Sequence, residues 1–151
     1  MDIYPKPTKL AVFILTHLAH QNDDPFSVSD VTKLTGISAP TAAKTLHALA
    51  KDGILESRRG PGGGFRKAFV PQQLTLARII CAIEGEERFP KCIWGFSTCS
   101  DATSCPLHQK WKDMKEQLES FFHSTTIQDM VEVMEKQQGK YAKEEFVSLA
   151  D

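Results

Sequence analysis

Little in this 151-residue chain is extreme, and what it lacks narrows its class. No apolar run is longer than the six residues Leu10 to Leu15, far short of the roughly 20 that span a bilayer, which argues against a membrane helix. The opening MDIYPKPTK has neither an apolar signal core nor a small-residue cleavage site, so a cytoplasmic chain is expected. Thiols there stay reduced, and the four cysteines are not expected to build a disulfide framework. The formal net charge is −1, so bulk charge gives no pointer to nucleic acid. There is no paired C-x2-C of a zinc ribbon, no internal repeat and no low-complexity tract. A glycine run is present, but no Lys-Ser/Thr follows it and no helix is expected to begin there, which argues against a nucleotide phosphate loop. With 41% hydrophobic and 25% charged residues, what remains is a soluble globular protein: one domain, or a small domain with an appendage.

The charge that is present is unevenly placed. Between residues 33 and 70 there are seven Lys or Arg, at 33, 44, 51, 58, 59, 66 and 67, against Asp52 and Glu56. A local excess of +5 on a neutral chain fits phosphate contact by one lobe, or else a solvated face. Leu10, Ala11, Ile14, Leu15 and Leu18 recur at helical spacing over Thr8–His20, with His17 and His20 as solvated helix-end residues. Ser27 has Asp30 three residues on, the capping-box pattern, and a short helix carrying Val31 and Leu34 stops at Gly36. Ser38 and Pro40 open a second helix that runs to about Asp52 and ends at Gly53. Its inward stripe is expected to be Ala39, Ala42, Leu46 and Leu49; its outer face carries Thr41, Lys44, His47 or Ala48, and Lys51. This is the helix-turn-helix pattern. Ile54–Ser57 and Phe65–Val70 read as strands around Arg58-Arg59-Gly60-Pro61-Gly62-Gly63-Gly64. Such a hairpin is a wing: Arg58 or Arg59 enters a minor groove while glycine N–H groups meet phosphates. Candidate DNA contacts are Ser38, Thr41, Lys44, Lys51, Arg58, Arg59, Gly62, Gly63 and Arg66.

After Pro71-Gln72-Gln73, Thr75 caps a helix through Glu84 with Leu76, Ile79, Ile80 and Ile83 inward and Cys81 beside the stripe as a small buried side chain. Then Cys92, Cys99 and Cys105 stand at C-x6-C-x5-C spacing, followed by Pro106 and His108. Thiolate and imidazole donors suit zinc or an iron–sulfur cluster and suit calcium or magnesium poorly. Wide Gly/Ser-rich spacing lets a loop wrap something larger than one ion, and Cys-Pro also closes ferredoxin-type ligand runs; three unrelated thiols are the bland alternative. A Cys105–His108 nucleophile and base of a thiol enzyme is a remote third, with no oxyanion-hole motif to support it. Leu107, Trp111, Met114, Leu118 and Phe121 recur at intervals of 4, 3, 4 and 3, a narrow seam that meets another helix, either in a second subunit or in the chain's own core. Thr125 or Thr126 caps a last helix with Ile127, Met130, Val131 and Met134, ending at Gly139.

The order helix-turn-helix, RRGPGGGF wing, three-cysteine loop, CPLHxxW and long helix resembles the IscR/NsrR-like (Rrf-two) bacterial transcription regulators over about Thr8 to Met134. The resemblance implies a mainly α fold with a small β-hairpin wing: a winged helix-turn-helix over residues 1–72, then a cluster loop and dimerisation helices over 73–151. It implies a homodimer on a palindromic double-stranded DNA operator. It also implies an iron–sulfur cluster, 2Fe–2S in preference to 4Fe–4S, held by Cys92, Cys99 and Cys105. The fourth ligand in the IscR manner is a histidine three residues past the last cysteine, here His108. Sensing of cluster status, nitric oxide or redox state would follow; a structural zinc site or a plain thiol switch on the same fold is the other reading. Where some members carry a glutamate in the recognition helix this chain has Ala43, so operator sequence does not transfer.

Overall fold

The computed structural model describes residues 4–85, 92 and 105–136. The first helix, α1 (Lys6–Ala19), is buried on most of its circumference, and Phe13, Ile14 and Leu15 are fully enclosed. Phe13, absent from the expected stripe, is central to the core because neighbours cover α1 on more than one side: α1 packs against α4 (Leu76–Glu84) and α6 (Ile127–Lys136) as well as the two helices that follow it. Each large aliphatic so buried contributes roughly 1.5–3 kcal/mol, and truncating one to Ala costs about 2–5 kcal/mol. Four threonines are buried with the apolar set. Their hydroxyls are satisfied locally or in pairs: Thr16 donates to the Val12 carbonyl at 2.9 Å, Thr35 to Val31 at 2.7 Å, Thr45 to Thr41 at 3.0 Å and Thr8 to the Glu84 carboxylate at 2.7 Å.

The capping box expected at Ser27 is present: Asp30 N–H donates to the Ser27 hydroxyl at 3.2 Å and Ser27 N–H to the Asp30 carboxylate at 2.8 Å. It starts α2 (Val28–Thr35), which ends at Gly36 in the left-handed region, φ 80°. Ile37 in the turn is fully buried, and α3 (Ala39–Lys51) follows. Here one expectation is corrected. Ala39 is exposed, because Ile37 already fills that end of the core; the inward stripe is Ala42, Thr45, Leu46 and Leu49. The hairpin pairs β1 (Leu55–Arg58) with β2 (Gly64–Lys67), Leu55 opposite Lys67 and Arg58 opposite Gly64. The second strand stops well short of Val70, which is half exposed, and Arg58 belongs to the strand rather than to the tip.

Thr75 caps α4 through the Arg78 N–H at 3.3 Å. The long helix α5 (His108–Ser124) packs on α4. Thr126, not Thr125, caps α6, in a second reciprocal box with Asp129: Thr126 N–H to carboxylate 2.7 Å, Asp129 N–H to hydroxyl 3.3 Å. Backbone bonds from Leu76 N–H to Thr125 O and from Ile127 N–H to Leu74 O, both 2.9 Å, stitch the start of α4 to the turn between α5 and α6. One hydrophobic cluster runs from Leu10 through Phe65 to Val131. Gly139 lies outside the described residues.

Candidate DNA-binding face and cysteine segment

The recognition helix α3 begins without a side-chain cap on its backbone. Ser38 sits at the cap position, but its hydroxyl donates to the Thr41 hydroxyl at 3.0 Å. Among the described residues the positive end of the helix dipole at these first-turn N–H groups is thus left without a side-chain cap, which suits an approaching phosphate. Lys44, His47 and Lys51 follow along the exposed face. The His47 ring stands edge-on to Phe65 at 5.2 Å, which seats the hairpin beside α3. Arg58 and Arg59 are exposed at the hairpin's outer end; Arg66 is half-buried, with its Nε enclosed and lacking a hydrogen-bond partner among the described residues. Gly62 is exposed, whereas the Gly63 N–H already donates to the Gly60 carbonyl at 2.8 Å and so shapes the tip from within. Ser38, Thr41, Lys44, Lys51, Arg58, Arg59 and Gly62 thus share two neighbouring elements.

Lys67, counted among the basic-face cations by sequence, turns the other way, toward Asp23 and the Gln21 carbonyl. The hydrogen bond and charge of that lysine hold the Asp23 carboxyl below its ordinary value, as the Ser27 bonds do for Asp30 and the Thr126 bonds for Asp129. Arg78 of α4 clamps Asp52, the residue that ends α3, through its side chain and by a 2.9 Å bond to its carbonyl. Neither Lys67 nor Arg78 has a sequence signature as a site residue, since the partners lie 46 and 26 positions away.

The second candidate site centres on the start of α5. Cys92 and Cys105 are half-buried, and the His108 N–H donates to the Cys105 carbonyl at 3.0 Å. One turn thus joins Cys105 to His108, itself half-buried at the first position of α5. Cys99 lies outside the described residues. Among those described, no three His, Cys, Asp or Glu side chains gather as a metal site. The donor chemistry, thiols and an imidazole with no hard oxygen ligand in the motif, fits an iron–sulfur centre or zinc. Beyond His108 the expected seam divides. Trp111 and Leu118 are half-buried and Phe122 is buried, its ring edge-on to Tyr4 at 5.0 Å. Leu107, Met114 and Phe121, seven residues apart, are 36%, 59% and 53% exposed.

Comparison with known proteins identifies the family. A family model described as Rrf2, iron-dependent transcriptional regulator, matches residues 4–133. The chain belongs to the Rrf2 family. Among relatives, a candidate helix-turn-helix-type transcriptional regulator of Aquifex aeolicus is 32% identical over 136 residues, covering 89% of this chain and 94% of that one. The transcriptional regulator IscR of Aliivibrio salmonicida is 29% identical over 119 residues, covering 79% and 70%. In fold, this Rrf2 chain resembles the solved structures of T. potens IscR (TM-score 0.65, 24% identity, 91% of each chain) and of CymR, the global cysteine regulator of B. subtilis (TM-score 0.65, 19% identity, 88% and 98%). It is a DNA-binding transcription regulator of the IscR-like kind and not an enzyme. That retires the thiol-enzyme reading of Cys105 and His108. Among the described residues no helix is long and apolar enough to cross a membrane.

Proposed function

We infer that this Rrf2 regulator works as a cytoplasmic homodimer on a palindromic operator, and that an iron–sulfur cluster held by Cys92, Cys99, Cys105 and His108 sets its affinity for DNA. The observation that supports this most is the build of α5: the turn leading into it joins Cys105 to His108, its first residue, and an exposed apolar stripe runs from its cap residue Leu107 through Met114 to Phe121. Fastening at the ligand end and contact with a partner helix are thereby properties of one rigid element. The division at residue 72 is then one of labour over a continuous core, with α2, α3 and the hairpin meeting DNA and the remainder holding cofactor and partner.

When bound, a cluster supplies a redox- and nitric-oxide-sensitive fastening that neutral side chains do not. This chain's own residues do the rest. Cys105 and His108 hold the start of α5; Arg78 and Glu84, at opposite ends of α4, tie that helix to the end of α3 and to Thr8 of α1. A change in the pose of α5 against α4 is therefore passed toward the recognition helix, and with two copies toward the half-site spacing.

Anaerobic purification with iron, sulfide and zinc analysis tests the cofactor, and titration against a duplex enriched from a random-sequence pool by the full chain tests its effect. Brown protein with bound iron and sulfide, and a tenfold or greater change in affinity on Cys92→Ser, Cys99→Ser or Cys105→Ser, is expected. Colourless protein with stoichiometric zinc replaces the cluster by a structural metal site. Unchanged affinity in the triple serine variant reduces the protein to a winged helix without a sensor.

A further inference from the structure

By sequence Lys67 is one of the cations that make residues 33–70 basic; the fold puts it to another use. Its side chain is only 8% exposed, its ammonium lies 2.7 Å from a carboxylate oxygen of Asp23, and it donates to the Gln21 carbonyl at 2.8 Å. Gln21 and Asp23 lie in the connection between α1 and α2. Two residues before Lys67, Phe65 trades backbone hydrogen bonds with Phe26 of that same connection, at 2.9 and 2.8 Å. The second wing strand is therefore fastened twice to the base of the helix-turn-helix, through the main chain at Phe65 and the side chain at Lys67. The hairpin itself has only four residues per strand, and an isolated two-stranded hairpin is marginal in water.

We propose that Lys67 is a positioning residue for DNA binding: it braces the wing against the connection between α1 and α2, so that Arg58 and Arg59 are held in register with α3, and makes no DNA contact itself. This rests on reading the hairpin as a DNA-contacting wing. To reach a phosphate the ammonium would have to leave a carboxylate and a carbonyl that already satisfy it, and draw a buried stem into water. Without the brace, each wing contact would also have to order the hairpin, and affinity falls by that cost.

The test is titration of the selected duplex at several salt concentrations with Lys67→Gln, Asp23→Asn, Arg59→Ala and the Lys67→Gln/Arg59→Ala pair. Lys67→Gln is expected to weaken binding about tenfold, the scale of a lost charge-assisted bond. Arg59→Ala weakens binding and lowers the slope by about one. Asp23→Asn weakens binding about threefold, the scale of an exposed ion pair, although it removes a negative charge. In the pair, the Arg59 effect shrinks, since an unbraced wing no longer places that guanidinium. Lys67→Arg, which keeps the cation, retains most of the affinity. Tighter binding by Asp23→Asn overturns the proposal by making Lys67 a phosphate contact. Strict additivity in the pair overturns it in favour of a merely structural lysine. If Arg59→Ala leaves both affinity and slope at wild-type values, the wing reading itself fails and takes the proposal with it. That failure is recognisable because the cycle then has no Arg59 effect to lose. Melting curves without DNA check folding, and should Lys67→Gln not fold, the sign of the Asp23→Asn effect decides alone.

Discussion

Gly62 and Gly64 lie two residues apart in the wing, and their backbones ask different things of the side chain they lack. Gly62 has φ 74° and open space where a Cβ would stand. Gly64 has φ 146°, and a Cβ there would sit 2.5 Å from the Phe26 carbonyl oxygen, an atom fixed by its bond from the Phe65 N–H at 2.8 Å. Gly62→Ala should therefore cost only the left-handed backbone penalty, about 1–2 kcal/mol. Gly64→Ala should cost more, roughly 2–4 kcal/mol, because it adds displacement of main chain to a conformation that L-residues avoid. Urea unfolding of the two variants measures the difference; equal midpoints would mean that the hairpin is not seated on Phe26. The same contact explains why the glycine run does two jobs that its composition does not separate. Gly62 belongs to the tip, while Gly64 is the point where the wing meets the body.

At the scale of elements, boundaries set by local chemistry were legible in the chain and those set by distant neighbours were not. Ser27 with Asp30, Gly36, Pro40 and Thr75 each act within about one turn, so they mark α2, α3 and α4 from sequence alone. Ala39 failed as a predicted interior position and Val70 as a predicted strand end because Ile37 closes that end of the core and β2 ends at Lys67, and neither fact is local. Cys105 and His108 were readable as a pair because three residues of helix entry join them, whereas Lys67 needed Asp23 before its role could be seen. The seam of α5 was readable only in part. A 4-3-4-3 spacing gives a single stripe, yet about 3.6 residues per turn lets a helix turn Trp111, Leu118 and Phe122 toward its own core and leave Leu107, Met114 and Phe121 outside. Both the intramolecular and the intermolecular readings of that seam thus have residues to serve them. A charge on the outer set separates the two: Met114→Glu with Phe121→Glu should dissociate the proposed homodimer in sedimentation at micromolar concentration while leaving the monomer folded, since neither side chain is buried. A Phe122→Ala change should instead cost about 3–5 kcal/mol of stability, as a core truncation does. An unchanged sedimentation profile in the glutamate pair would place the subunit contact elsewhere.

For the whole molecule, proton linkage should set the pH range over which this fold holds. Asp23, Asp30 and Asp129 all have their folded pKa depressed below the ordinary 3.8, the first by Lys67 and the other two by the hydroxyl and backbone of their capping partners. A depressed carboxylate contributes stability that is fully present above its unfolded value and is lost as pH falls through the folded one, so the acid limb should lie below about pH 4. Tyr4 acts at the other end. Burial raises its pKa above 10.0, with the charges of Cys81 and Glu119 adding to the effect, and its hydroxyl has no hydrogen-bond partner among the described residues. The folded state then holds that proton more tightly than the unfolded chain does. Its contribution is complete below pH 10 and disappears as pH rises through the folded value. Tyr4→Phe removes the ionisable group and keeps the ring on Phe122. The expected result is an alkaline limb moved upward or abolished, an acid limb unchanged, and stability at neutral pH within about 1 kcal/mol of wild type or above it, because an unsatisfied buried hydroxyl is removed with no bond broken. Urea midpoints taken from pH 3 to 11 read all three at once. A Tyr4→Phe protein that kept the wild-type alkaline limb would move the responsible proton to another side chain, and the N-terminal packing of Tyr4 on Phe122 would then matter for shape alone.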